Sequence, residues 1–379
     1  MKIPFFEAFL IIHAISTFLY FVLISYLLTG WFKIKFFNPL KQDVPNIKIS
    51  IVVAMRNEAH NIKCLLKNIG KQTYPYILWE IILVDDHSTD NSLDVANKYL
   101  QQLTGINSTV LSLPPHEKGK KHALKLGIKQ AKNELIITTD ADCSMGLEWL
   151  FTIASYYSIH QPDIIVAPVL FKAQNSFEKL QALEFLTLIG SGAGALGMNN
   201  PILANGANFC FTKKLFDELK GYDDNFKEVS GDDIFLLLKA KKLNKKILFL
   251  KSLAATITTK PQANLLSFIN QRKRWVAKTK YHRDFFTLFS SGVVFCTNFF
   301  LFVATLYSFF NNSYLPYLFL FFGIKTLIDY CFLIPITSFF GMKKLLLLLI
   351  PEQILYIFYV SFITTISFVG KVSWKGRKY

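Results

Sequence analysis

A chain of 379 residues in which hydrophobic types make up 52% and 37 positions are Phe can hold one catalytic domain of ordinary size plus several membrane segments. Its formal charge of +16, from 42 Lys and Arg against 26 Asp and Glu, is dispersed; this argues against a nucleic-acid binder, and anionic lipid headgroups and phosphorylated ligands explain it better. The cysteines Cys64, Cys143, Cys210, Cys296 and Cys331 form no CxxC pair and no Cys/His metal spacing, which excludes a zinc module and a disulfide scaffold and fits a reducing cytoplasm.

The apolar content sits at the two ends. From Ala8 to Thr29 the chain is uncharged apart from a possible proton on His13, and it exceeds the roughly 20 residues a helix needs to cross a bilayer. A cleaved signal peptide would need an apolar core of roughly 7 to 15 residues and a small-residue cleavage site. Three further apolar stretches lie near 286 to 310, 315 to 340 and 345 to 369, separated by Asn311-Asn312-Ser313 and by Gly341-Met342-Lys343-Lys344. The first two read as spans. The third contains Pro351-Glu352-Gln353, tolerated at membrane depth only against protein or water.

Basic flanks mark the cytoplasmic side of a span. They occur at Lys33, Lys35 and Lys41, at Lys278, Lys280 and Arg283, at Lys343-Lys344, and at Lys371, Lys375, Arg377 and Lys378. All cannot be inside if every stretch crosses, so the last is expected to be a re-entrant or interfacial hairpin. Lys325 and Asp329 stand four apart in an apolar stretch, the spacing at which helical side chains meet.

Between about 45 and 284 short β-rich runs alternate with longer amphipathic ones, as in a doubly wound, mostly parallel α/β sheet. Strands are expected at Lys48 to Ala54, Glu80 to Val84, Glu134 to Thr139 and Ile164 to Leu170. Helices are expected at Ala59 to Ile69, Ser92 to Leu103, Ala123 to Ala131 and Leu147 to His160. The Gly-rich piece Gly190 to Gly197 reads as a mobile loop. In open sheets of this kind ligands bind beyond the carboxyl ends of the strands. There Arg56-Asn57-Glu58, Asp85-Asp86 and Asp140-Ala141-Asp142 all fall.

No G-x-G-x-x-G follows the first strand and no P-loop lysine motif occurs, so a Rossmann dehydrogenase and a P-loop NTPase are disfavoured. Each polar motif has a plain structural reading beside a chemical one. Asp85-Asp86-His87-Ser88-Thr89-Asp90 reads as a polar turn with a helix cap; it gains a chemical reading beside Asp140-Ala141-Asp142, whose two alternating carboxylates can share a hard divalent cation, Mg2+ or Mn2+, with room left for phosphate oxygens. Ser230-Gly231-Asp232-Asp233 opens a helix, as a cap favoured by the dipole or as a general base for an acceptor hydroxyl. Gln271-Arg272-Lys273-Arg274-Trp275 reads as a positive-inside flank or as arginine held against a diphosphate with an indole face for a sugar ring.

In this order and at these intervals, the four elements resemble the family 2 glycosyltransferases with a GT-A fold, particularly the membrane-integrated branch that includes ceramide glucosyltransferases and polysaccharide synthases. The resemblance covers about 48 to 284. It implies that Asp86 contacts the nucleobase, Asp85 supports that pocket, and Arg56 and Glu58 line the nucleotide site. It places Lys120 close to the donor, makes Asp142 the main metal ligand, and has Asp140 help bind donor and metal. Asp233 matches the family's base, with Asp232 where many relatives have Glu. Gln271, Arg274 and Trp275 match the element bordering the donor diphosphate and the acceptor. His87 stands where relatives often have Gly, a change expected to alter turn geometry more than chemistry.

The expected organisation is an N-terminal transmembrane helix over 1–30, a GT-A domain over 31–284 and a membrane region over 285–379. The expected protein is an integral membrane protein, of the cell inner membrane, with its catalytic domain cytoplasmic. Its expected activity is inverting, metal-dependent transfer from a nucleotide-sugar, UDP by family frequency, to a lipid or lipid-linked acceptor hydroxyl at the cytoplasmic membrane face, with a lipid or saccharide as the acceptor partner. A processive polysaccharide synthase and a non-catalytic sugar-nucleotide-binding scaffold are the alternatives.

Overall fold

The computed structural model describes residues 5–39, 44–223, 231–277, 284–369 and 373, 374, 377 and 378. Ser230 and the flanking bases Lys41, Lys278, Lys280, Arg283, Lys371 and Lys375 lie outside the described residues. In chain order the elements run α1 (Phe5–Lys33), β1 (Ile49–Met55), α2 (Ala59–Ile69), β2 (Trp79–Asp85), α3 (Ser92–Gln101), β3 (Asn107–Ser112), α4 (Lys120–Gln130), β4 (Leu135–Asp140), β5 (Ser144–Met145), α5 (Trp149–His160), β6 (Ile164–Val166) and β7 (Val169–Phe171). They continue with α6 (Ser176–Gly197), β8 (Phe209–Thr212), α7 (Lys213–Glu218), α8 (Asp232–Lys242), β9 (Ile247–Phe249), β10 (Ile257–Thr259), α9 (Leu265–Ala277), α10 (Phe285–Phe310), α11 (Leu315–Phe339) and α12 (Leu349–Val369). Two compact units result, a helical one (Met1–Lys33, Ala173–Met198, Gln262–Val372) and a sheet-based one (Ile34–Lys172, Asn199–Pro261, Ser373–Tyr379).

The sheet-based unit carries a seven-stranded sheet of order β3-β2-β1-β4-β8-β6-β9 and a three-stranded one of order β5-β10-β7. Strands β1 to β4 run parallel, and β8 is antiparallel to both its neighbours. In β1 only Ala54 escapes full burial; such continuous burial of Ile and Val fits a sheet covered on both faces. Helix α2 buries Ile62, Leu65, Leu66 and Ile69, the single stripe its spacing dictates. The strand expected from Ile164 to Leu170 is instead two, in different sheets. Pro168 separates them because it has no N–H to give a ladder, while its carbonyl accepts from Asn208 Nδ2 at 2.8 Å and from Ile257 N at 3.1 Å.

In the helical unit the piece Gly190 to Gly197 is not a loop but the last two turns of α6. Glycine weakens a helix by about 1 kcal/mol each, and here the return is backbone approach to α1. A Cβ on Gly194 would overlap the Leu27 carbonyl, and one on Gly30 would overlap that of Gly194, the small-residue packing of apolar helix pairs. Among the described residues five helical segments are long and apolar enough to cross a membrane, α6 included. Strands β6 and β8 flank α6 in sequence and pair in one sheet, so α6 cannot carry the chain once across a bilayer. That leaves α1, α10, α11 and Lys343–Ser367 as candidates to cross.

The hairpin expected after Lys343-Lys344 is not formed. A 3-10 segment (Lys343–Leu348) runs into the uninterrupted α12, and Pro351 falls in its first turn, where a missing N–H is harmless. Lys325 Nζ pairs with Asp329 at 2.9 Å and also donates to Gln353 of α12, while Tyr20 of α1 donates to Asp329. Three helices are thereby tied at one buried point. Lys325→Leu, which leaves a buried carboxylate uncompensated, is expected to destabilise by about 3–5 kcal/mol, whereas the Lys325→Leu/Asp329→Leu pair recovers most of the loss. Thermal unfolding of the detergent-solubilised chain checks this.

Candidate active site

Strand order assembles the acidic motifs. Register pairs Ala54 with Asp140 on one side of β1 and Met55 with Asp85 on the other. Asp85 and Asp140 thus end strands about 10 Å apart, with the loop of Arg56 between them. Arg56 Nη1 donates to the carbonyls of Asp86, at 2.5 Å, and His87, at 2.8 Å. His87 takes φ 54°, the left-handed region that glycine fills without strain, and its Nε2 lies 2.9 Å from the Glu117 carbonyl oxygen. The Asp86 side chain is buried. Asp85 Oδ2 accepts from Ser88 N at 3.1 Å, while its buried Oδ1 has no hydrogen-bond partner among the described residues. Such an orphan oxygen is costly unless a ligand donor meets it.

A second group gathers around Lys120, the first residue of α4. Its Nζ is 2.6 Å from Asp140 Oδ1 and 3.7 Å from Asp232 Oδ2. Burial alone would lower the ammonium's pKa, but Asp140 and Asp232 hold it well above the ordinary lysine value. Asp232 and Asp233 open α8 behind Gly231, whose φ of 92° needs glycine. Asp233 Oδ2 accepts from Gly206 N at 2.7 Å and Oδ1 from Ile234 N at 2.8 Å. Both oxygens are thereby oriented by backbone N–H groups.

Asp142 Oδ2 accepts from Thr259 Oγ1 at 3.1 Å. Burial first, then the charges of Asp140 and Glu58, push the Asp142 carboxyl up to about 6. Among the described residues no three His, Cys, Asp or Glu side chains form a metal cage. Asp140 and Asp142 nonetheless fit a hard cation that takes its other ligands from phosphate and water, because close carboxylates repel until a positive charge joins them. An unfolded Asp titrates near 4, so between about pH 4 and 6 the folded chain keeps a proton the unfolded chain has lost. This group's contribution to stability therefore declines as pH rises through that window. Asp142→Asn is expected to flatten the pH dependence of thermal unfolding there in chelator-containing buffer; an unaltered slope would refute it.

The sheet-based unit thus brings together Glu58, Lys120, Asp140, Asp142, Asp232 and Asp233 from separate segments, with Arg56, Asp85 and Asp86 at the neighbouring strand ends. Gln271, Arg274 and Trp275 lie on α9, in the helical unit. The Trp275 ring lies 4.1 Å from the Arg272 guanidinium carbon and 6.0 Å from the Phe185 ring, so the indole face expected to meet a sugar already has protein neighbours. Sequence reasoning missed Gly206 and Thr259. Asn205-Gly206 is a turn dipeptide that could have drawn notice, whereas nothing local marks Thr259.

Two family models match. Glycosyl transferase family 2 matches residues 50–219 and Glycosyl transferase family group 2 matches residues 135–362, more than half of the chain. The chain belongs to glycosyl transferase family group 2. This family 2 chain is 30% identical over 120 residues to the poly(ribitol-phosphate) beta-N-acetylglucosaminyltransferase TarS of Staphylococcus aureus, covering 32% of this chain and 20% of TarS. It is also 30% identical over 125 residues to the dodecaprenyl-phosphate galacturonate synthase of Rhizobium johnstonii, 32% of this chain and 36% of that protein. It therefore spans about a fifth to just over a third of the length of these relatives. The mannosyltransferase PcManGT of Pyrobaculum calidifontis, solved with GDP-Man and Mn2+, superposes with a TM-score of 0.55 at 15% identity, over 90% of this family 2 chain and 99% of PcManGT. That likeness establishes a GT-A-type fold.

Proposed function

We propose that the protein is an inverting glycosyltransferase that moves a sugar from a nucleotide-sugar, a UDP-sugar by family frequency, to a hydroxyl of a lipid or lipid-linked acceptor at the cytoplasmic face of the membrane, in bacterial terms the inner membrane. The carrying observation is the group of carboxylates around Lys120, set beside the orphan Asp85 oxygen at the carboxyl ends of β1, β2 and β4. Family membership supports the reaction class. The mannosyltransferase of similar fold holds the ligand pair this reading assigns, a nucleotide-sugar and a divalent cation.

In the mechanism Asp85 and Asp86 receive the nucleobase, with Arg56 and Glu58 lining that pocket, and Lys120 stands beside the donor phosphates. Asp233 takes the proton from the acceptor hydroxyl, and the acceptor oxygen attacks the anomeric carbon in line as the bond to the nucleoside diphosphate breaks. Asp232 shares the helix start and pairs with Lys120. Mg2+ or Mn2+ bound by Asp140 and Asp142 would supply positive charge against the departing diphosphate. The family resemblance assigns Gln271, Arg274 and Trp275 to the diphosphate and the acceptor, and the apolar helices favour an acceptor held in lipid.

Incubating membranes with a panel of labelled nucleotide-sugars tests this. The expected product is a small, organic-extractable glycolipid. A long ethanol-insoluble polymer would reassign the chain as a polysaccharide synthase. Failure to transfer or hydrolyse any donor in the presence of Mn2+ or Mg2+ would leave a binding scaffold.

A further inference from the structure

Helix α9 carries an arginine to which the proposed mechanism gives no task. Arg272 is 2% exposed, and Glu184 of α6 grips its guanidinium: Nη2 and Nε donate to the carboxylate at 2.6 and 3.1 Å, the fork geometry of a strong pair. Tyr359 of α12 donates to the same carboxylate at 3.2 Å. Arg272 Nη1 donates to Gln271 Oε1. The guanidinium carbon lies 4.1 Å from the centre of the Trp275 ring and 4.5 Å from that of Phe268. One cation therefore touches two of the three motif side chains assigned to the donor diphosphate and acceptor. A pair needed only to join two helices would not require this. Planarity lets guanidinium stack on an indole and hydrogen-bond along its edge at once, and a lysine ammonium cannot do both.

We infer that Arg272, anchored by Glu184, is a positioning residue that fixes the rotamers of Gln271 and Trp275 for the acceptor step; the inference rests on the transferase reading. The test uses the full chain in detergent with three variants: Arg272→Lys, Arg272→Leu, and Arg272→Leu with Glu184→Leu. The double variant removes both charges, so it avoids the buried unpaired carboxylate that can unfold the single one. Positioning predicts that Arg272→Lys and the double variant keep donor KM within about threefold while kcat falls at least about tenfold. It also predicts an altered Trp275 emission, measured as the difference between each variant and the same variant carrying Trp275→Phe. Full kcat in a stably folded double variant would show a merely cohesive pair. A rise in donor KM at unchanged kcat would overturn the assignment to the acceptor step. If the native chain transfers no sugar at all, the transferase reading fails, and the emission difference still judges the clamp: unchanged Trp275 emission in the double variant and in Arg272→Lys would overturn it.

Discussion

Asp233→Asn is expected to lower the rate of sugar transfer by roughly 10² to 10⁴, the usual worth of a positioned general base, with donor binding kept. The substitution preserves shape and leaves an amide where Gly206 N and Ile234 N now meet the two carboxylate oxygens. Single-turnover transfer alongside calorimetric nucleotide binding separates the two effects. Near-normal turnover would remove Asp233 from the mechanism. Asp232→Asn offers the contrast, since Asp232 faces Lys120 at 3.7 Å; if its loss is the larger, the two roles are exchanged.

Removing divalent cations by chelation is expected to abolish transfer, and added Mn2+ or Mg2+ to restore it. Asp142→Ala should cost roughly 10² or more and resist restoration, because a cation facing a departing diphosphate contributes several kcal/mol and each 1.4 kcal/mol or so is tenfold. Mn2+ binding followed by electron paramagnetic resonance gives a readout independent of turnover. Full activity in chelator would sink the metal assignment and leave Lys120 as the cation nearest Asp140.

Much of the sheet could be read from local pattern. The helix expected over Ala59 to Ile69 forms with those bounds, because its stripe of Ile and Leu at helical spacing admits one amphipathic face. The strand ends bearing Asp85 and Asp140 lie where expected, since runs of buried Ile, Leu and Val stop where carboxylates begin. Edge and antiparallel strands were harder. All of β3, Asn107–Ser112, is exposed or half-buried and lacks an apolar run, while β8 pairs with β4 across more than 60 intervening residues. No local periodicity encodes such a pairing.

By itself the sequence determined which side chains could do chemistry, because a strand's side-chain alternation and a helix's first turn fix where an acid can stand. Tertiary structure decided what those side chains touch. Lys120 draws Asp140 and Asp232 together only because α4 and α8 start beside the end of β4. Gly194 and Gly197 of α6 face the α1 backbone so closely that a side chain would not fit, and Gly190 meets Ile336 of α11 in the same way. Arg272 meets Glu184 only because α6 brings that carboxylate to α9. Short-range pattern selects a conformation for each segment; contacts between distant segments depend on packing free energy shared by both, which neither segment carries alone.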